Sequence, residues 1–245
     1  MPEQTEQFVE VDGTKLWTCR QGEGFPVMLS SGGPGCCDYL APVAATIDDL
    51  AEVYRWEQRG CGRSEAAELY TLEQCLDDLE GLRKAFGLER WVIGGHSWGA
   101  NLALIYALEY PEQTAAVIHI SGTSFDEDWK AAYHEGLATR GERQPDYAYP
   151  PNMEVNRQLN ASKKPYQRDP GLPARLRALE IPVLVVHGDL DIRPTDMAER
   201  LVGMLPQARL EIIPGAEHVL WPDHSAELGR ILRDFLQELK VQGRV

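Results

Sequence analysis

The chain of 245 residues contains no run approaching the roughly 20 apolar residues that a membrane-spanning helix needs. Its opening, Met1-Pro2-Glu3-Gln4-Thr5-Glu6-Gln7, is acidic and polar where a secretory signal would place basic residues and then an apolar stretch, and a cytoplasmic protein is expected. Positive charge is scarce: 24 Lys and Arg stand against 38 Asp and Glu, a net charge of −14. Such a surface repels phosphate backbones and anionic membranes, so nucleic acid and membrane are not expected as partners. The same surplus supports solubility and disfavours anionic substrates. Cysteine is limited to Cys19, Cys36, Cys37, Cys61 and Cys75, all in the first third. An odd count without repeated CxxC spacing argues against a disulfide framework and against a zinc site, so reduced thiols and no metal are expected. None of the five lies in a nucleophile motif. No internal repeat or low-complexity tract is evident.

What is present suits one domain with a buried sheet. Hydrophobic residues make up 43% of the chain and mean hydropathy is −0.35. Phe8-Val9-Glu10-Val11 alternates, Asp12-Gly13 follows, and Thr14 to Cys19 alternates again, which predicts a hairpin. Pro26 to Ser30 reads as a strand running into the loop Ser31-Gly32-Gly33-Pro34-Gly35. The stretch Asp38 to Leu50 suits a helix, and Ala51 to Trp56 a strand. Thr71-Leu72-Glu73-Gln74 has the capping-box pattern, and Leu72, Cys75, Leu76, Leu79, Leu82 and Phe86 recur at helical spacing until Gly87. Strands are expected at Trp91–Ile93, Ala115–Ile120, Pro182–His187 and Ala208–Ile213, with helices at Ala100–Tyr110 and about Ser225–Val241. Continuously apolar strands alternating with helices imply a mostly parallel sheet of about eight strands, covered on both faces and edged by the antiparallel hairpin. In such sheets ligands bind beyond the carboxyl ends of the strands.

The stretch 124–179 breaks this rhythm. It has no strand pattern, is rich in aromatics and carries the Pro150-Pro151 break. A structureless loop of that length is improbable in a compact domain, so a small helical cap is expected over the carboxyl ends, inserted between core segments 1–123 and 180–245.

The strand Trp91–Ile93, then Gly95-His96-Ser97-Trp98-Gly99, then a helix is the nucleophile elbow in its required context, which indicates an α/β-hydrolase fold with Ser97 as nucleophile. Side chains at Gly95 or Gly99 would collide across so tight a turn. A serine hydroxyl needs a base to take its proton. Of six histidines, His218 follows the last strand and falls in a carboxyl-end loop. His119 and His187 suit satisfied core positions, His134 lies in the cap, His96 points away on the elbow, and His224 begins the last helix. The acid should precede the histidine in the chain. Asp191 in His187-Gly188-Asp189-Leu190-Asp191 is preferred, with Asp189 as an alternative or turn brace and Asp126 a distant third. Oxyanion amides are expected from Trp98 and from Gly33, since Pro34 has no N–H.

These residues carry a resemblance. Ser31-Gly32-Gly33-Pro34-Gly35 is similar to the His-Gly-Gly-Pro-Gly loop of the proline iminopeptidases. Glu57-Gln58-Arg59-Gly60-Cys61-Gly62-Arg63-Ser64 is similar to their Asp-Gln-Arg-Gly-Cys-Gly-Arg-Ser segment, and the elbow resembles their Trp-bearing one. The likeness covers about residues 25 to 123 and 180 to 223. It implies a cofactor-independent hydrolase with Ser97, Asp191 and His218 at the triad positions. Ser31 and Glu57 depart from the family's histidine and aspartate, and the cap is shorter. In those peptidases acidic cap residues hold the substrate's free amino group. Glu127, Glu135, Glu142 and Glu154 are the acids available here, and Trp129, Tyr133, Tyr149 and Glu127 are taken as candidate substrate contacts.

The leading expectation is acyl transfer from a small peptide or amino-acid amide to water. An ester or lactone is the runner-up. A non-catalytic binder of a small ligand would be expected to have an eroded triad, and no erosion is visible.

Overall fold

Asp12 and Gly13 close the expected hairpin with φ of 46° and 70°, the left-handed pair that lets two twisted strands turn back within two residues. The computed structural model describes residues 4–245, so Met1–Glu3, the start of the polar opening, lie outside the described residues. Strands β1 (Thr5–Val11) and β2 (Thr14–Gln21) form the hairpin. The chain continues through β3 (Phe25–Ser30), α1 (Ala41–Ala44), β4 (Ala51–Trp56), α2 (Leu72–Ala85), β5 (Trp91–His96), α3 (Trp98–Glu109) and β6 (Thr114–Ile120). After β6 come three helices in succession, α4 (Lys130–Thr139), α5 (Met153–Gln167) and α6 (Leu172–Arg177). The chain then returns through β7 (Val183–Gly188), α7 (Thr195–Val202), β8 (Ala208–Ile213) and α8 (Trp221–Val241).

The eight strands form one sheet in the order β1-β2-β4-β3-β5-β6-β7-β8. Strand β2 pairs antiparallel with β1 and β4, and every other neighbouring pair is parallel. Burial on both faces explains the unbroken apolar strands. Met28, Ile93, Val117 and Val185 join one core with Leu79 and Leu82 of α2, Leu102 of α3 and Leu201 of α7. Their neighbours Leu29, Val92, Ile118 and Leu184 join the other, with Val43 of α1 and Leu228, Ile231 and Phe235 of α8. Successive side chains point to opposite faces of a strand, so both sets must be apolar. Among the described residues no helix is long and apolar enough to cross a membrane.

Two helices differ most from expectation. Asp38–Leu50 is helical only over Ala41–Ala44. At its start the Asp38 N–H donates to Glu57 Oε1, and at its end Thr46 and Ile47 tighten into three-residue bonds to the Val43 and Ala44 carbonyls. Thr46 Oγ1–H also donates to the Val43 carbonyl, competing for that backbone acceptor. Helix α8 starts at Trp221, before Ser225, because a first turn through Pro222 joins the main helix across non-helical His224 (φ −124°, ψ 28°). Half of the capping box forms: Thr71 accepts from the Gln74 N–H at 3.2 Å, but the Gln74 side chain donates forward to Asp78 Oδ1 at 3.3 Å rather than turning back to the Thr71 N–H.

The loop after β4 is held by buried ions. Arg59 Nε lies 2.9 Å from both Asp78 oxygens, its Nη2 is 2.7 Å from Asp78 Oδ1, and the same Nη2 donates to the Val11 carbonyl at 3.0 Å. Glu57 accepts from the Asp38 N–H at 3.0 Å and from Arg63 Nη2 at 2.7 Å, so one buried carboxylate joins this loop to the segment after β3. Removing one member of a buried pair strands the other's charge. Asp78→Ala is therefore expected to cost about 3–5 kcal/mol in urea unfolding. A cost within about 1 kcal/mol, the range of an exposed pair, would contradict this reading.

Candidate active site

Strand β5 continues to His96, further than its apolar residues suggested, and the chain turns sharply at Ser97. Ser97 has φ 58° and ψ −119°, a conformation unfavourable for a residue with a Cβ. Its N–H donates to the Ile120 carbonyl of β6 at 2.8 Å, which fixes the turn to the neighbouring strand. The flanking glycines are sterically required. A Cβ on Gly95 would stand 2.4 Å from the Ser30 carbonyl oxygen, and one on Gly99 would stand 2.1 Å from it. Gly32 is under the same constraint, since its Cβ would lie 2.8 Å from that of Ser97. Ser97 itself is partly exposed, while its neighbours His96 and Trp98 are buried.

The loops after β7 and β8 bring Asp191 and His218 together. His218 Nδ1–H donates to Asp191 Oδ2 at 2.7 Å. With Nδ1 donating, Nε2 is left toward the cavity that Ser97 also lines. The other Asp191 oxygen accepts from the Arg193 N–H at 2.9 Å and lies 3.2 Å from Arg193 Nη1. Burial opposes the charge on Asp191, but His218, Arg193 and His187 outweigh it and hold the carboxyl well below its ordinary range. Asp189 is the turn brace, accepting from the Gly215 N–H at 2.6 Å, and Asp126 pairs with Arg200 at 3.2 Å.

The remaining histidines separate clearly. His134 is exposed on α4, and His224 sits at the break in α8. His187 is a core histidine satisfied on one side only: Nε2 donates to the Arg193 carbonyl at 2.9 Å, while the buried Nδ1 has no partner among the described residues. His119 is buried, but neither ring nitrogen has a hydrogen-bond partner among the described residues, so "satisfied" does not describe it. Burial drives its pKa down to about 3, which keeps it neutral.

Gly33 lies at the cavity with φ 117°, and Trp98 opens α3 directly after Ser97. Neither backbone N–H donates a hydrogen bond within the described residues. The inserted segment holds this loop. Asn156 Nδ2 donates to the Gly33 and Pro34 carbonyls at 2.9 and 2.8 Å, and the Asn152 N–H donates to the Gly35 carbonyl at 2.8 Å. Asn152 also caps α5, accepting from the Glu154 and Val155 N–H groups. An asparagine after Pro150-Pro151 carried that capping signal, whereas nothing local in the sequence marked Asn156, Arg193 or Tyr39.

The cavity holds about 290 Å³ and is lined by Ser97, His218, Gly33, Tyr39, Tyr133 and Glu142, among others. Of the candidate contacts, Tyr133 lies on it. Trp129 stands behind, edge-on to Tyr133 at 5.7 Å, with its indole N–H on the Asp126 carbonyl. Tyr149 is largely exposed, 5.5 Å from the Arg63 guanidinium, and Glu127 is exposed and bonded to Lys130. Glu135 is exposed, Glu154 pairs with Arg157, and Glu142 alone of the four acids reaches the cavity. Glu142 Oε1 contacts Arg193 Nη1 and lies 4.0 Å from His218 Nε2. Glu142, Asp191 and His218 present ligand atoms within 4.8 Å of one another, the spacing of a possible metal site. The Arg193 guanidinium bonds both carboxylates and already supplies the positive charge a metal ion would bring.

Residues 26–170 match the family described as the alpha/beta hydrolase fold, and the chain belongs to it. It is similar to the proline iminopeptidase of Lactobacillus delbrueckii subsp. lactis, at 24% identity over 86% of this chain and 90% of that protein. It is also similar to the proline iminopeptidase of Saccharolobus solfataricus, at 38% identity over 114 residues, 45% of this chain and 37% of that protein. The solved proline iminopeptidase of Mycobacterium smegmatis superposes with TM-score 0.74 at 20% identity, covering 98% of this chain and all of that one, a likeness of fold.

The depressed pKa of Asp191 has a stability consequence. Above the unfolded carboxyl value of about 3.9, both states are ionised and its contribution is fully present. As pH falls below that value the unfolded chain takes up the proton first, and the contribution fades towards the lower folded value. Wild type should therefore lose stability more steeply than Asp191→Asn between about pH 4 and 2 in urea unfolding at a series of pH values. Parallel losses would contradict the depressed value.

Proposed function

We propose that the protein is a serine hydrolase working through an acyl-enzyme, with Ser97 as nucleophile, His218 as base and then acid, and Asp191 as the group that orients it. The observation that carries the proposal is the Asp191–His218 hydrogen bond of 2.7 Å facing the cavity lined by the sharply turned Ser97. In this reading Ser97 Oγ attacks the substrate carbonyl carbon while His218 Nε2 takes the hydroxyl proton. The carbonyl π pair moves to oxygen, where the Gly33 and Trp98 N–H groups receive the negative charge. As the tetrahedral intermediate collapses, the bond to the leaving group breaks and His218 returns the proton to that group. Water then attacks the acyl-enzyme with His218 again as base, releasing the acid and restoring Ser97. Asp191, kept ionised, stabilises the imidazolium in both halves. No step needs a cofactor.

The substrate class we favour is a small peptide or amino-acid amide with a free amino group. A cavity of about 290 Å³ suits one small acyl group, and Glu142 provides a carboxylate within it for an ammonium group. An uncharged ester or lactone is the second reading, favoured by Arg193, which already compensates the Glu142 charge. Resemblance to the proline iminopeptidases supports the first. Segment 124–179, containing α4–α6, acts as the cap in either case. Five free, buried cysteines suit a reducing compartment, and the cytoplasm is the proposed location.

Ser97→Ala should reduce turnover by about four orders of magnitude or more. With a prolyl arylamide, removing the substrate's amino group should lower kcat/KM by about 10- to 100-fold, the worth of one hydrogen bond to a charged group. Glu142→Gln should produce a similar loss only with the amino substrate. Equal rates with and without the amino group would leave the ester or lactone reading.

A further inference from the structure

Two polar side chains at the site have no part in the chemistry above. His96 and Tyr39 are buried, and both line the cavity beside Ser97 and His218. The His96 ring lies 4.6 Å from the His218 ring and meets Trp221, the first residue of α8, edge-on at 4.9 Å. Tyr39 stacks on the same Trp221 at 5.9 Å. The hydrogen bonds among these residues have a fixed direction. His96 Nε2 is 2.9 Å from the backbone carbonyl of His218, which can only accept, so Nε2 carries the proton. Burial and the neighbouring His218 hold the His96 pKa well below its ordinary value, so the ring is neutral and Nδ1 is bare. The Tyr39 hydroxyl, 2.8 Å from Nδ1, must then donate to it. Its oxygen remains free to accept from the Gly32 N–H at 2.6 Å.

A single chain of bonds therefore runs from the Gly32 N–H to the Tyr39 hydroxyl, from there to His96, and from His96 to the His218 carbonyl. It begins one residue from Gly33 in the loop after β3 and ends on the residue that faces Asp191 in the loop after β8. Both loops are connected to the turn at Ser97, because His96 immediately precedes that residue. Placing a base and an amide donor correctly against one reacting atom requires a tolerance well under 1 Å, since a misplacement of about 1 Å costs about 100-fold in rate.

We propose that His96, acting through Tyr39 and the His218 carbonyl, is a positioning residue that sets the loop of Gly33 and the backbone of His218 in register with Ser97. The proposal rests on the serine-hydrolase reading. Neither side chain exchanges a proton with substrate. Their contribution is to hold two loops that share no direct hydrogen bond among the described residues.

The experiment uses the full chain and whichever arylamide or arylester it turns over, with rates expressed per active site after burst titration. His96→Phe keeps the ring contacts but removes both bonds, and is expected to lower kcat about 10- to 100-fold with KM changed less than about threefold. His96→Gln retains a donor at the Nε2 position and should recover kcat to within about fivefold of wild type. Tyr39→Phe, which leaves His96 in place, covers the case in which His96→Phe does not fold, and is expected to lower kcat about 3- to 10-fold. In the double variant the losses should combine to less than their product, because both act on one chain of bonds. Unchanged kcat per active site in these variants, with only stability or active fraction reduced, overturns the proposal, as does a His96→Gln variant as slow as His96→Phe. Wild-type turnover that survives Ser97→Ala would instead sink the hydrolase reading, so the two failures are distinguishable.

Discussion

At the carboxyl end of β5 the backbone has almost no room. A Cβ on Gly99 would approach the Ser30 carbonyl oxygen to 2.1 Å, and one on Gly95 or Gly32 would meet backbone or Ser97 at under 3 Å. This closeness of β3, β5 and α3 is what the site depends on, because it forces Ser97 into a turn with φ 58°. Such a conformation costs on the order of 1–3 kcal/mol and persists only when the surroundings over-determine it. Here they do so through the Ile120 carbonyl on one side and the glycine contacts on the other. The loop of Gly33 also owes its position beside Ser97 to this approach, since Ser30, the last residue of β3, is aligned with Gly95 in the parallel pair.

Charge around this turn is arranged by a second constraint. Asp191 is buried and still ionised, a combination that requires compensation. His218 bonds one oxygen, and the Arg193 backbone and guanidinium bond the other. Arg193 also reaches Glu142 and lies 4.7 Å from the Tyr133 ring, so the loop that bears the acid joins two parts of the insert. Gly136 of α4 fits against Ile192 of the same loop, where an added Cβ would lie 2.7 Å from the Ile192 Cβ. With Asn152 and Asn156 on the loop after β3, the insert is attached on both sides of Ser97. Changes in the insert are thereby transmitted to the loops that the proposed chemistry uses.

The framework was legible in the sequence because its signals are local. Nearly continuous apolar runs marked β6 and β7, and Asp12-Gly13 and Thr71-Leu72-Glu73-Gln74 marked a turn and a helix start. The elbow was legible because its glycines answer a steric demand within five residues. Asp191 and His218 followed from chain order, which the topology turns into proximity. Residues whose partners are distant in the chain gave no such sign. Tyr39 and His96 are 57 positions apart, and Asn156 meets Gly33 across 123. Nothing near these residues specifies their partners. The insert was hardest to read, since exposed aromatics and acids look the same in sequence whether they face a cavity or solvent. Glu142 and Glu127 differ only in where their backbones lie: one contacts Arg193 at the cavity, and the other pairs with Lys130 at the surface.

The central claim is that Ser97 is a nucleophile made reactive by His218 and Asp191. Treating the protein with an aryl or alkyl fluorophosphonate and mapping the adduct by peptide mass spectrometry tests it without knowledge of the substrate. One covalent adduct per chain is expected, on Ser97, absent from His218→Ala over the same exposure. Labelling elsewhere, or none on Ser97 in the folded protein, would contradict it.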